Sequence, residues 1–346
     1  VKALTVLPGR AGSAALTDVD EPSRSDGAVL VETIAVGVCG TDREIAQGEY
    51  GEAPPGAERL IIGHESLGRV VDAPAGAGFE PGDHVVGIVR RPDPVPCAAC
   101  AVGEWDMCRN GQYTERGIKG LHGFCSERYR IEPEFAVKVD AGLGLLGVLL
   151  EPTTVVAKAW AHIDHIAERS ASRPRTVLVT GAGPIGLLAA LLGVQRGLSV
   201  RVADHATDGP KPALVDAMGA TYSAGEIAAM AAVADVVLEC TGVARLVVDV
   251  MANNAPGSIV CLTGVSSSRV LEVDVGELNR SMVLENDVVF GSVNANRSHY
   301  EAAAAALAVA DRDWLQGLIT RRVPLADWAQ ALHKQPGDIK AVIEIS

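Results

Sequence analysis

The sequence predicts an α/β protein in which a turn-rich β half precedes a doubly wound parallel sheet. Three observations carry that expectation. Up to about Leu150, short strand-like runs are punctuated by Gly and Pro. After Pro152, strand-length apolar runs alternate with helical ones, the pattern of a parallel sheet with crossover helices. Between the first such strand and helix lies Gly181-Ala-Gly183-Pro184-Ile185-Gly186. At about 150 residues per domain, a chain of 346 residues suggests two domains.

In chain order, Val29 to Val36, Gly68 to Val71, His84 to Val89 and Tyr129 to Ile131 read as strands of the first half. Thr176 to Thr180 reads as a buried strand and Ile185 to Arg196 as an apolar helix. Leu198 to Ala203 is a second strand and Lys211 to Met218 a second helix, with further strands at Ala234 to Glu239, Ile259 to Thr263 and Val288 to Val293. A helix at Ser298 to Ala310 and a strand at Ala341 to Ile345 follow. Six strands already complete a nucleotide-binding sheet, so this last segment is expected to return to the first domain. The expected division is 1–151 for catalysis, 152–294 for the dinucleotide and 295–346 for the returning segment. Arg169 to Arg175 is the one polar, linker-like stretch.

Composition narrows the function. Hydrophobic residues at 48% and charged residues at 21% fit a globular protein with ample core. A net charge of −13 argues against binding nucleic acid or an anionic membrane, both of which need clustered Lys and Arg. The longest apolar runs, Gly142 to Leu150 and Ile185 to Val194, are too short to span a bilayer. No basic segment with a long apolar run opens the chain. Of seven cysteines, three crowd into Cys97 to Cys108, which reads as metal binding rather than a disulfide framework. A cytoplasmic location is the expectation.

The glycine motif follows a strand and opens a helix, the context a dinucleotide-binding turn demands. Gly181 permits the turn, Gly183 the approach of a pyrophosphate, and Gly186 the packing of helix on strand. Pro184 and Ile185 start the helix, whose free N–H groups face the phosphates. Asp204 ends the second strand, where a carboxylate accepts from ribose hydroxyls and repels a 2′-phosphate. With no Arg following until Arg245, NAD is favoured over NADP. Thr241 and Asn294 complete the cofactor-binding candidates.

Two motifs in the first half carry metal chemistry: Val38-Cys39-Gly40-Thr41-Asp42 and Gly63-His64-Glu65-Ser-Leu-Gly68. A thiolate, an imidazole and carboxylates make the ligand set of a catalytic zinc that keeps one position open. Together with the nucleotide motif, they resemble the zinc-dependent medium-chain dehydrogenases over essentially the whole chain. The resemblance sharpens toward the glucose dehydrogenase branch at Cys39 to Ile45, Arg90-Arg91, Gly117-Ile118, Gly123-Phe124, Glu151-Pro152 with Lys158, and Gly291-Ser-Val-Asn294.

That resemblance implies a GroES-like catalytic domain joined to a Rossmann domain. It implies zinc held by Cys39, His64 and Glu151, with Glu65 ligating directly or through exchangeable water. Thr41 would take the proton of the reacting hydroxyl, and Glu115, Glu151 and Asn294 would bind sugar. Val89 and Val155 stand where some members carry polar sugar contacts, so an aldose other than glucose is a candidate substrate. The implied reaction removes hydride from C1 of an aldose to NAD, giving a lactone. A polyol or secondary-alcohol dehydrogenase shares most of these motifs, and a non-catalytic NAD-binding relative is the reading from another class. Cys97, Cys100 and Cys108 resemble a structural-zinc lobe with one cysteine missing. Counting from Arg90-Arg91 puts Asp93 in its place, whereas the usual CxxC spacing puts Pro94 there. The family also implies a homodimer or homotetramer.

Overall fold

The structure is a computed structural model describing residues 1–266 and 270–346. Its contacts divide it into two compact units, Val1–Thr154 with Asn294–Ser346, and Val155–Val293.

The first unit is built on a seven-stranded sheet among the described residues. In spatial order its main path runs Ala136–Val139, His84–Gly87, Glu65–Asp72, Val29–Val38, Lys340–Glu344 and Ile319–Pro324. Arg128–Ile131 pairs with the beginning of Val29–Val38. That central strand alternates buried and half-buried residues over its first half and is buried throughout its second. Alternation gives one face to the core, where Val31, Val36, Leu60, Ile62, Val85 and Phe124 are almost wholly excluded from water. Each such side chain contributes about 1.5–3 kcal/mol on burial.

Register then decides the chemistry. Glu65–Asp72 runs antiparallel to the central strand with Gly37 opposite Glu65. On the other side, Ala341 lies opposite Val38. The end of one strand and the starts of two others therefore converge, placing Cys39, His64, Glu65 and Lys340 together.

Among the described residues the second unit carries a six-stranded parallel sheet in the order Thr221–Ser223, Ser199–Ala203, Thr176–Thr180, Val236–Glu239, Ile259–Leu262, Val288–Gly291. Numbered along this unit the order is 3-2-1-4-5-6, the doubly wound arrangement expected from the sequence. The helix Pro184–Gln195 buries eight consecutive residues, Gly186 to Gly193, as an all-round apolar helix must. Thr221–Ser223 was not anticipated, because three residues that each carry a hydroxyl show no hydrophobic period.

The helix Leu150–Ala167 was not anticipated either. Pro152 falls in its first turn, where the missing N–H costs nothing. It also corrects the expectation about membrane spans. The helical stretch Ala141–Ala167 is long and apolar enough, by length and composition, to cross a bilayer. Its most apolar window is nevertheless 72% buried inside the protein, as in a core helix.

Candidate active site and dinucleotide loop

Cys39 caps the helix Gly40–Ala46, and its backbone N–H donates to Asp42 Oδ2 at 2.9 Å. Its sulfur lies 3.1 Å from His64 Nε2. These two atoms and a carboxylate oxygen of Glu65 all fall within 4.8 Å of one another. Asp42 Oδ1 stands 3.3 Å from His64 Nδ1, which leaves Nε2 turned to the sulfur and free to ligate. Thiolate, oriented imidazole and carboxylate together fit zinc. Glu151 lies outside this close set, in the first turn of its helix and 9% exposed. Thr41 is half-buried in the first turn of the Gly40–Ala46 helix.

The electrostatics are those of a crowded buried cluster. Burial opposes ionisation of Asp42, but the neighbouring His64 outweighs it and holds the carboxyl below its usual range. Burial likewise disfavours a charged His64, yet Cys39 and Asp42 push the imidazole well above its ordinary value. For Glu151 burial leads, with repulsion from Glu65 added against the pull of His64, and its pKa rises to about 7. Lys340 supplies a compensating charge. Its ammonium, 1% exposed, forms an ion pair with Glu65 and reaches Val38 O at 3.4 Å.

The sugar-site candidates also meet. Asn294 Nδ2 donates to Glu115 Oε1 at 2.6 Å, and Arg90 Nε and Nη2 donate to the same oxygen at 3.0 and 2.9 Å. Asn294 sits in the left-handed region at φ 62°, a conformation Asn tolerates better than most residues. Val89 is buried, and its backbone N–H donates to the Tyr300 hydroxyl. Val155 is half-buried.

In the cysteine lobe the sulfurs of Cys97, Cys100 and Cys108 lie within 4.8 Å of one another. The Arg109 and Cys100 backbone N–H groups lower the Cys97 thiol to about 6. Burial raises Cys100, partly offset by the Asp93 backbone N–H. Asp93 does not join the three sulfurs at that separation. Its Oδ1 accepts from Val95 N–H at 2.8 Å, while its buried Oδ2 has no hydrogen-bond partner among the described residues.

In the second unit, Gly181 adopts φ +87°, and its N–H donates to Ala203 O at 2.7 Å. A Cβ on Gly186 would meet Gly181 O at 1.8 Å, so only glycine fits there. Gly183 caps the helix that Pro184 and Ile185 begin, and a Cβ there would meet nothing within 4 Å. Asp204 is more heavily engaged than a free ribose acceptor: Oδ2 takes Ala182 N–H at 2.7 Å and Lys211 Nζ at 2.9 Å, and Oδ1 takes Ala206 N–H at 3.1 Å. Thr241 donates its hydroxyl proton to Glu239 and accepts from Val243 N–H at 3.0 Å.

Sequence reasoning assigned no role to Asp42, Lys340, Arg90 as the partner of Glu115, or Glu239. Asp42 carried a signal, since a carboxylate three residues past a helix cap commonly bonds back to it. Lys340 carried none, because its contact with Val38 spans 302 residues of sequence.

Comparison with known proteins identifies the family. Residues 25–141 match the alcohol dehydrogenase GroES-like domain, and residues 144–345 match the glucose dehydrogenase C-terminus. Glucose 1-dehydrogenase of Methanocella arvoryzae is 39% identical over 357 residues, covering 100% of this chain and 99% of the relative. That of Thermoproteus tenax is 39% identical over 354 residues, covering 100% of this chain and 99% of its own. Glucose dehydrogenase of Haloferax mediterranei, solved with NADP, Zn and gluconolactone, superposes with a TM-score of 0.92 at 32% identity, covering 100% and 99% of the two chains. A GroES-like half and a doubly wound sheet define the medium-chain zinc dehydrogenases as a class. Within that class the chain belongs to the glucose dehydrogenase family, and it acts on a CH–OH group with a nicotinamide dinucleotide.

Proposed function

We propose that the chain oxidises an aldose at C1, transferring hydride to NAD and releasing the lactone. One observation carries this reading: Asn294 and Glu115, 179 residues apart, are joined at 2.6 Å with Arg90 on the same oxygen. Three donors on Oε1 hold the carboxylate in one orientation and leave Oε2 as the acceptor for a sugar hydroxyl. The names of the full-length relatives and the gluconolactone in the Haloferax mediterranei structure support the same substrate class.

Cys39, His64 and Glu151 would hold the zinc, with Glu65 ligating it directly or through exchangeable water. When bound, zinc supplies Lewis acidity that lowers the pKa of the reacting hydroxyl. Asp42 keeps His64 Nε2 aimed at the metal position, and Lys340 balances the charge of Glu65. Thr41 takes the hydroxyl proton and passes it outward. Glu115 and Asn294 orient the sugar. A screen of aldoses, polyols and simple alcohols tests the reading, and preference for simple alcohols would overturn it.

For the cofactor we retain NAD. The Asp204 carboxylate at the end of the second strand supports it by repelling a 2′-phosphate. Against it stand Lys211 and His205 beside that carboxylate, and the NADP of the Haloferax mediterranei structure. The expected kcat/KM is higher with NAD, and Asp204→Ala should narrow the difference. A higher value with NADP in the wild type would reassign Lys211 and His205 to the 2′-phosphate.

We read residues 1–151 and 295–346 as the catalytic part and 152–294 as the dinucleotide-binding part of a cytoplasmic homodimer or homotetramer. We also assign a second zinc to Cys97, Cys100 and Cys108, completed by Asp93. The orphan Asp93 Oδ2 and the lowered Cys97 thiol support it. Purified protein should then carry about two zinc ions per chain, and Asp93→Ala about one. Fully active wild-type protein with a single zinc would remove Asp93 from the ligand set.

A further inference from the structure

Glu239 closes the strand Val236–Glu239 and is 0% exposed. Its carboxylate Oε1 accepts from the Thr180 hydroxyl at 3.2 Å, from Thr241 N–H at 2.8 Å and from the Thr241 hydroxyl. Oε2 accepts from Gly242 N–H at 3.1 Å. The carbonyl of the same residue accepts from Thr263 N–H at 2.9 Å, Gly264 N–H at 3.0 Å and the Thr263 hydroxyl at 2.8 Å. One residue thereby ties together the ends of three adjacent parallel strands: Thr176–Thr180, Val236–Glu239 and Ile259–Leu262.

Packing around it is tight. A Cβ on Gly264 would meet Gly242 N at 2.1 Å and Glu239 Oε2 at 2.8 Å, and one on Gly181 would meet the Thr241 methyl carbon at 2.9 Å. The glycine-rich turn therefore rests on Thr241, and Thr241 is fixed by Glu239. Ligands of such sheets bind outside the carboxyl ends of the strands, where these loops lie.

We infer that Glu239 is a positioning residue for the dinucleotide: it presets the turn at Gly181 and the loop at Thr241 before the cofactor arrives. It also fixes the polarity of Thr241, whose only hydroxyl proton goes to the carboxylate. Thr241 therefore offers the cofactor a methyl group and an acceptor lone pair, and no donor. An anion would find no hydrogen bond at that hydroxyl. The inference rests on the dinucleotide site lying at the Gly181–Gly186 turn.

Glu239→Gln tests it, because its amide group turns donors toward donors in either flip. In steady-state assays KM for the dinucleotide should rise at least about tenfold, the scale of losing one or two buried hydrogen bonds. The substrate KM should hold, as should kcat at saturating dinucleotide. A merely structural role predicts the reverse, fewer active molecules with lower kcat and unchanged KM values, and that result would overturn the inference. Thr241→Val should raise the dinucleotide KM less, and added to Glu239→Gln should contribute little more. If Glu239→Gln does not accumulate as folded protein, Thr241→Val alone decides: an unchanged dinucleotide KM refutes the inference, and a raised one supports it. Gly183→Val separates the underlying site from this claim. Normal dinucleotide KM in Gly183→Val would move the site elsewhere, whereas damage there with none in Glu239→Gln would reject Glu239 alone.

Discussion

Cys39→Ser and His64→Ala should each lower kcat by about 10²–10³-fold or more, the scale on which loss of a group stabilising transition-state charge is felt. The two atoms lie 3.1 Å apart at one end of a paired set of strands, so removing either leaves the remaining donors unable to retain the metal firmly. The sheet itself should survive. Cys39 is half-exposed at a helix cap, and the strand before it is fixed on both sides by pairing. Circular dichroism and the unfolding transition should therefore change little while zinc content and turnover fall together. Asp42→Asn should give a milder version, about 10–100-fold in metal affinity, because it loosens His64 without removing a ligand. Near-normal turnover of protein stripped of metal by a chelator would end the zinc mechanism.

The second large effect concerns substrate choice. An aldose oxidised at C1 should exceed ethanol or 2-propanol by at least about a hundredfold in kcat/KM. A site built to bond hydroxyls penalises molecules that leave its polar groups unpaired, at about 1–3 kcal/mol for each buried group. Glu115→Gln should raise the sugar KM by about tenfold while leaving a small alcohol nearly unaffected, since such an alcohol needs no second hydroxyl contact. Arg90 complicates the substitution, because its side chain is buried beside Glu115 and would lose its counter-charge. Equal loss with both substrates would accordingly mean that Glu115 supports the fold rather than the sugar.

The parallel sheet was legible because Val177, Leu178 and Val179 and their counterparts are buried on both faces and read as continuous apolar runs. The glycine turn was legible because one local geometry dictates three residues. What escaped the sequence was long-range. Glu239 looked like the polar end of a strand, and nothing near it announces contacts with Thr180 and Gly264. Lys340 directly precedes the expected closing strand and carries no local signal, yet it is 1% exposed beside Glu65. The placing of Asp93, off the three sulfurs, depends on how the chain turns after Arg91, and neither counting scheme encodes that turn. The candidates Cys39, His64 and Glu65 emerged from short motifs, but their convergence is a matter of strand register.

That register has a consequence for the order in which the protein is made. From Ala35 to Val38, one edge of the strand Val29–Val38 pairs with Glu65–Asp72 and the opposite edge with Lys340–Glu344. On a ribosome, the sheet holding Cys39 and His64 therefore keeps an open hydrogen-bonding edge until some 300 further residues have emerged. Over that interval Glu65 lacks the ammonium of Lys340, and its carboxylate goes without that counter-charge. If this cluster holds zinc as proposed, an ion captured early would meet a more anionic nest than the completed chain presents. The strand that Lys340 begins seals the edge and brings Glu65 its counter-charge, so the same late strand completes both the sheet and the charge balance of the cluster.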